Sequence, residues 1–222
     1  MNKLTVIFVL MMMLASVEIV GAESQSWHLL DETYTGMTAN DGTNHHTDLF
    51  MNKTGNSTGS YISLRDMGNT TWWYAEYDAQ FDGLGFEEGN WIVNISHGPT
   101  DGGTIWVDIC KVNDTTGEVT YLANGSVVPL GSGSDTFICY DNSSTAQSFN
   151  KGERLALRIY HNRPDKKSLR IYYYKMDNDR YSNLSSPVSD PGYPIPELST
   201  LALTSLGLVA LAGYAIKNKK GQ

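Results

Sequence analysis

The chain has 222 residues, with 24 acidic side chains against 16 basic ones and a formal net charge of −8. Four of the basic residues, Lys3, Lys217, Lys219 and Lys220, lie at the two ends, so the stretch between is more acidic still. That leaves no basic footprint for nucleic acid and excludes it as a partner, while the length suffices for one domain with a substantial core.

Residues 1–22 read as a secretory signal peptide. Lys3 supplies the charge, Leu4 to Leu14 the apolar core, and Val20-Gly21-Ala22 a cleavage site of small residues. A transmembrane helix is the alternative, but Glu18 interrupts the run. The ectodomain, 23–184, shows almost no helical period. Apolar and polar residues alternate in short runs bounded by Gly, Asn, Asp and Ser, which predicts strands. They fall at Trp27–Leu30, Asp48–Met51, Tyr61–Leu64, Thr70–Phe81, Trp91–Ser96, Ile105–Cys110, Glu118–Ala123, Thr136–Tyr140, Arg154–His161 and Ser168–Lys175. Strands at this spacing predict an all-β fold, an antiparallel β-sandwich. In the long aromatic run, Trp73, Ala75, Tyr77, Ala79 and Phe81 take one face; Trp72, Tyr74, Glu76, Asp78 and Gln80 take the other.

Eight Asn-x-Ser/Thr sequons lie between the signal and the tail, at Asn52, Asn56, Asn69, Asn94, Asn113, Asn124, Asn142 and Asn183. Chance would supply about three, so the excess suggests a glycoprotein. Cys110 and Cys139 are the two cysteines. An even count in an exported chain favours a disulfide, with two buried free thiols as the alternative.

No catalytic constellation stands out, and neither G-x-S-x-G nor H-E-x-x-H occurs. Asp41, His45, His46 and Asp48 form the one His/Asp cluster, read as a solvated loop rather than a metal site. No cofactor is expected beyond a structural Ca²⁺, for which Asp177 and Asp179 are weak candidates. Trp72, Tyr74 and Trp106 are assigned outward, where aromatic faces could stack on sugars. The last two strands are expected to pair as a hairpin with Arg158 opposite Tyr172 and Tyr160 opposite Arg170. Together with Tyr174 these residues would form a contact surface for envelope glycans or surface proteins. The competing topology sends the second strand to the opposite sheet.

Residues 185–197 carry Pro187, Pro191, Pro194 and Pro196 and read as a stiff spacer. Leu198–Ile216 is an uncharged run of 19 residues, long enough for a transmembrane helix, and 217–222 is a basic cytoplasmic tail. The terminal lysines argue against a lipid-anchor signal, which ends apolar. Pro196-Glu197-Leu198, the span and the lysines together resemble the sorting tails of the PEP-CTERM and PEF-CTERM families. That resemblance implies cleavage near the motif by a sorting transpeptidase, an exosortase or archaeosortase. Leu198 departs from both families, which have Pro or Phe there. Dense sequons with such a tail lean towards an archaeal envelope. The strand order and the run Gly152-Glu153-Arg154-Leu155-Ala156-Leu157-Arg158-Ile159-Tyr160 resemble galactose-binding-like jelly rolls. The expectation is therefore a non-enzymatic glycoprotein of the cell membrane or cell surface, serving envelope structure or adhesion. A surface-displayed carbohydrate-binding module is the alternative, and a secreted glycan-active enzyme the third reading.

Overall fold

The computed structural model describes residues 24–55, 57–64, 69–80, 82–86, 88–100, 103–127, 133–141, 147–162, 168–174 and 181–187. The expected signal, sorting motif, span and basic tail lie outside these residues, as do Asp177, Asp179, Asn56 and Asn142. Among the described residues no helix is long and apolar enough to cross a membrane.

The described chain is all-β, as the alternation predicts. The strands are β1 (Ser26–Thr33), β2 (Asn44–Asn52), β3 (Tyr61–Leu64), β4 (Asn69–Ala75), β5 (Leu84–Phe86), β6 (Trp91–His97) and β7 (Ile105–Asn113). They continue with β8 (Val119–Val127), β9 (Gly133–Asp141), β10 (Gln147–Phe149), β11 (Glu153–His161), β12 (Leu169–Tyr172) and β13 (Asn183–Ser185). Eleven of them make one large sheet in the order β13-β1-β2-β4-β11-β7-β8-β9-β6-β12-β3, while β5 and β10 pair separately. Strand β13 closes this sheet on itself, because Leu184 lies opposite Trp27 of β1 on one edge and Val93 of β6 on the other.

The sheet is mixed rather than wholly antiparallel. Strands β2 and β4 run parallel, with Asp48 beside Trp72 and Phe50 beside Tyr74. A parallel neighbour needs a crossover between the two strands. Here the crossover contains β3, which pairs with β12 at the far end of the sheet order. The expected β11–β12 hairpin does not form. Strand β11 uses one edge on β7, from Glu153↔Asn113 to His161↔Ile105, and the other on β4. With both edges taken, β12 pairs with β3 and, through Ile171↔His97, with β6.

The period-two pattern divides two cores. Trp27, Trp73, Trp91, Val107, Ile109 and Leu157 are among the inward residues that fill the main core. Burying a tryptophan such as Trp27, Trp73 or Trp91 is worth about 4–6 kcal/mol before ordering costs. A smaller cluster lies on the outer face: Tyr34, Ala39, Trp72, Tyr74, Cys110, Val112 and Ala156. It is roofed by the segment 34–43, which follows β1. The Ala39 amide donates to the Tyr74 hydroxyl at 2.9 Å, and the Asn40 amide donates to the Gly117 carbonyl at 2.7 Å. Gly117 has φ +71°, and a Cβ there would sit 2.6 Å from the Thr38 carbonyl, so the turn under this strap requires glycine.

Two further expectations change. Strand β4 ends at Ala75 rather than Phe81. Beyond it the chain leaves the sheet: the Ala79 amide donates to the Glu153 carbonyl, and Tyr77, expected inward, is 44% exposed. The expected disulfide is absent, and both cysteines are buried free thiols. Cys110 belongs to the outer cluster and Cys139 to the main core, so the sheet itself lies between them. Burial pushes the Cys110 thiol well up and the Cys139 thiol up to about 12.

Candidate functional site

Register builds the site. One row runs straight across the outer face of five strands: Asp48 on β2, Trp72 on β4, Arg158 on β11, Asp108 on β7 and Asn124 on β8. The adjacent row places Tyr160 of β11 beside Trp106 of β7 and Ser126 of β8. Alternation sends all of these side chains outward, because Val107, Ile109, Leu157 and Ile159 between them point into the main core.

Arg158 is the centre. Its Nε and Nη2 donate to one oxygen of Asp108 at 2.9 and 2.7 Å, and its Nη1 donates to Asp41 at 2.8 Å. The guanidinium lies 4.9 Å from the Tyr121 ring centre, 5.1 Å from that of Tyr160 and 5.6 Å from that of Trp72. Tyr160 in turn stacks on Trp106, with ring centres 5.3 Å apart and planes 9° from parallel. The result is a column of rings and one cation beside a carboxylate. Trp106 and Tyr160 are half-buried and Tyr121 is 42% exposed, so the column reaches solvent.

The carboxylates beneath differ. Burial pushes the Asp108 carboxyl above its ordinary value and outweighs the Arg158 charge. Burial pulls Asp41 the same way, but hydrogen bonds from Thr43, Arg158 and His45 hold it below the ordinary value. Asp41 belongs to the strap, and its side chain is 2% exposed. His45 sits between two carboxylates, Nδ1 at 3.0 Å from Asp48 and Nε2 at 3.3 Å from Asp41. Carboxylates only accept, so both ring nitrogens donate, and these partners raise the His45 pKa despite its burial. The Tyr74 hydroxyl donates to the same Asp48 oxygen at 3.0 Å. Asp41, His45 and Asp48 are thus a joined, half-buried network that pins the strap, and not the solvated loop expected of them.

The sequence-predicted residues divide. Trp72 and Tyr74 do face outward, but the strap buries them completely, which removes them as sugar platforms. Arg158 and Tyr160 lie in the column, whereas Arg170, Tyr172 and Tyr174 form a separate group. Arg170 lies 4.8 Å from the Tyr61 ring centre, Tyr172 meets Tyr61 edge-on, and Tyr174 stacks on His28 at 3.5 Å. Four strands, β7, β8, β9 and β6, separate the two groups in the sheet order, so they do not make one surface. Among the sequons, Asn94 of β6 and Asn183 of β13 lie opposite each other, with the Asn94 amide donating to the Asn183 oxygen at 3.0 Å. The side-chain oxygens of Asn52 and Asn113 accept local backbone amides, Asn69 opens β4, and Asn124 is exposed in the middle of β8. Asp108 and Tyr121 were not singled out by the sequence, and only the register reveals that they share one guanidinium. Among the described residues no group of three or more His, Cys, Asp or Glu is placed to hold a metal ion.

No family model and no curated protein matches the chain. Among solved structures it is similar to a CocE/NonD family hydrolase from Staphylococcus aureus, at 12% identity and TM-score 0.48, over 79% of this chain and 38% of that one. It is also similar to an alpha-amino acid ester hydrolase, at 10% identity and TM-score 0.44, over 74% of this chain and 36% of that one. A third is an aminopeptidase from a marine sediment Thaumarchaeota archaeon, at 9% identity and TM-score 0.41, over 55% of this chain and 26% of that one. The chain thus spans less than two-fifths of the length of these enzymes. These named neighbours are hydrolases and a peptidase, which the expectation of a non-enzymatic protein of envelope structure or adhesion did not include. No reaction, substrate or residue is carried over from them.

Proposed function

We propose that the domain recognises carbohydrate through the outer face of β11, β7 and β8, in a glycan-directed exported protein. The observation that carries this reading is the parallel Trp106–Tyr160 pair, half-exposed and in register with the Arg158–Asp108 ion pair. Aromatic faces take the apolar CH patches of a sugar ring, and a neighbouring carboxylate and guanidinium take its hydroxyls. The sheet holds the rings and the charges in place before any ligand arrives, which lowers the ordering cost of binding. Export through residues 1–22 and anchoring or sorted display through 196–222 belong to the same proposal, on the strength of the sequence motifs. The test is affinity electrophoresis and calorimetry with soluble polysaccharides and envelope glycans. Trp106→Ala and Tyr160→Ala should each weaken binding about tenfold or more. Equal binding by both variants would end the reading.

A second reading has its own observation. Asp41 and Asp108 share one guanidinium, yet their carboxyl pKa values are driven in opposite directions, the arrangement that separates an acid from a base. Hydrolysis of the bound glycan is the activity that arrangement would support. Release of reducing ends during the same titrations, lost in Asp108→Asn, would favour it.

A further inference from the structure

The column has a neighbour that the sequence supplies itself. Asn124 and Ser126, the first and last residues of one sequon, both point out from β8 on the face of the column. Asn124 is opposite Asp108, and Ser126 is opposite Trp106. Trp106 is therefore the diagonal neighbour of Asn124, at about 7–8 Å between backbones, a distance that large side chains bridge. Asn124 is thus an exposed sequon that the fold sets beside an aromatic platform.

We propose that Asn124 carries an N-linked glycan whose first sugar lies on the Trp106 ring, so that the chain's own glycan is the resident ligand of this face. An external carbohydrate must then displace it. The bond formed joins the Asn124 amide nitrogen to the anomeric carbon of the first sugar. The anomeric C–O bond of a lipid-linked sugar phosphate donor breaks, the lipid phosphate leaves with the electron pair, and the amide gives up one proton to the base of the transferase that carries out the step. Displacement by an outside glycan rests on the carbohydrate reading above; the resident glycan does not.

The experiment uses the protein purified from its own cells, beside Asn124→Gln and Ser126→Ala, which remove the sequon by different residues. Glycopeptide mass spectrometry reads occupancy. An unmodified Asn124 overturns the proposal and leaves the carbohydrate reading of the face intact. Occupancy is followed by acrylamide quenching of tryptophan emission. Of the five tryptophans, Trp27, Trp72, Trp73 and Trp91 are at most 1% exposed, so quenching reports Trp106. Both variants should raise the quenching constant about twofold, because a ring face covered by sugar becomes open to solvent. An unchanged constant in both variants overturns the proposal. The external arm is calorimetry with the same soluble polysaccharides: both variants should bind about tenfold more tightly than the native glycoprotein. Equal affinity overturns the displacement. If no form binds a polysaccharide while quenching still rises, the carbohydrate reading fails and the resident glycan stands.

Discussion

Replacing Arg158 by Met tests whether the ion network, rather than the rings, organises the outer face. The methionine keeps the apolar stem and removes the charge. It leaves Asp108 with its side chain 11% exposed and Asp41 with 2%, each without its guanidinium partner. Removing one member of a buried ion pair costs about 3–5 kcal/mol, because the remaining charge stays desolvated. At about 2–4 °C per kcal/mol for a domain of this size, the melting temperature should fall by about 6–20 °C at neutral pH. The pH dependence adds a sign. Asp108 already has a raised carboxyl pKa in the folded protein, so its favourable contribution is present below the unfolded value and lost as pH rises through the folded one. Without Arg158 that pKa climbs further, so the deficit should be largest near neutrality and shrink as acid protonates Asp108. Asp41 acts in the same direction: its pKa is depressed in part by Arg158, so the stability it contributes near neutrality, which the variant reduces, is lost in the native protein as pH falls through its folded value. Melting curves by circular dichroism at pH 7.5 and pH 5 decide it, with the double variant Arg158→Met, Asp108→Leu as control. The double variant should recover the share of the loss that Asp108 causes, since position 108 then has no charge to bury, while Asp41 keeps His45 and Thr43 as partners. A melting temperature within about 2 °C of the native value, or a deficit that deepens in acid, would refute the reasoning.

Trp72→Ala should destabilise the domain by about 3–5 kcal/mol although Trp72 points away from the main core, because the strap buries it completely; urea denaturation measures this. His45→Gln should lower stability more at pH 5.5 than at pH 8.5. Its raised pKa makes the Asp41 and Asp48 contacts count most below the ordinary histidine value and fade as pH rises through the folded one, and chemical denaturation at the two pH values checks the sign. Thiol labelling of unreduced protein should give almost no reaction in the native state and two labels per chain after denaturation, since both cysteines are free and buried. A denatured chain that takes up no label would restore the bridge.

Alternation alone settles the class of fold and the direction of most side chains. Successive side chains of a strand point to opposite faces by geometry, so Trp73, Val93, Val107, Ile109 and Leu157 mark an inner face without any knowledge of their partners. What alternation cannot encode is which strands are neighbours, and what covers an outward face. The residues of β11 predict a strand equally well whether its neighbour is β12 or β4 and β7, because backbone pairing carries no side-chain label. The mixed sheet follows from the same freedom, since β3 crosses to the far end between β2 and β4. Trp72 and Tyr74 look like exposed platforms until the strap 34–43 lies over them. Cys110 and Cys139 look like a pair until the register sets them on opposite faces. Asp41 and His45 stand in one local cluster, but Asp108, Tyr121 and Arg158 are spread along the chain and share no local pattern with it. Asp108 and Arg158 meet because their strands align in one row. Tyr121 and His45 come in from nearby positions on β8 and β2, Asp41 comes from the strap, and electrostatics in a half-buried place then sets their charges.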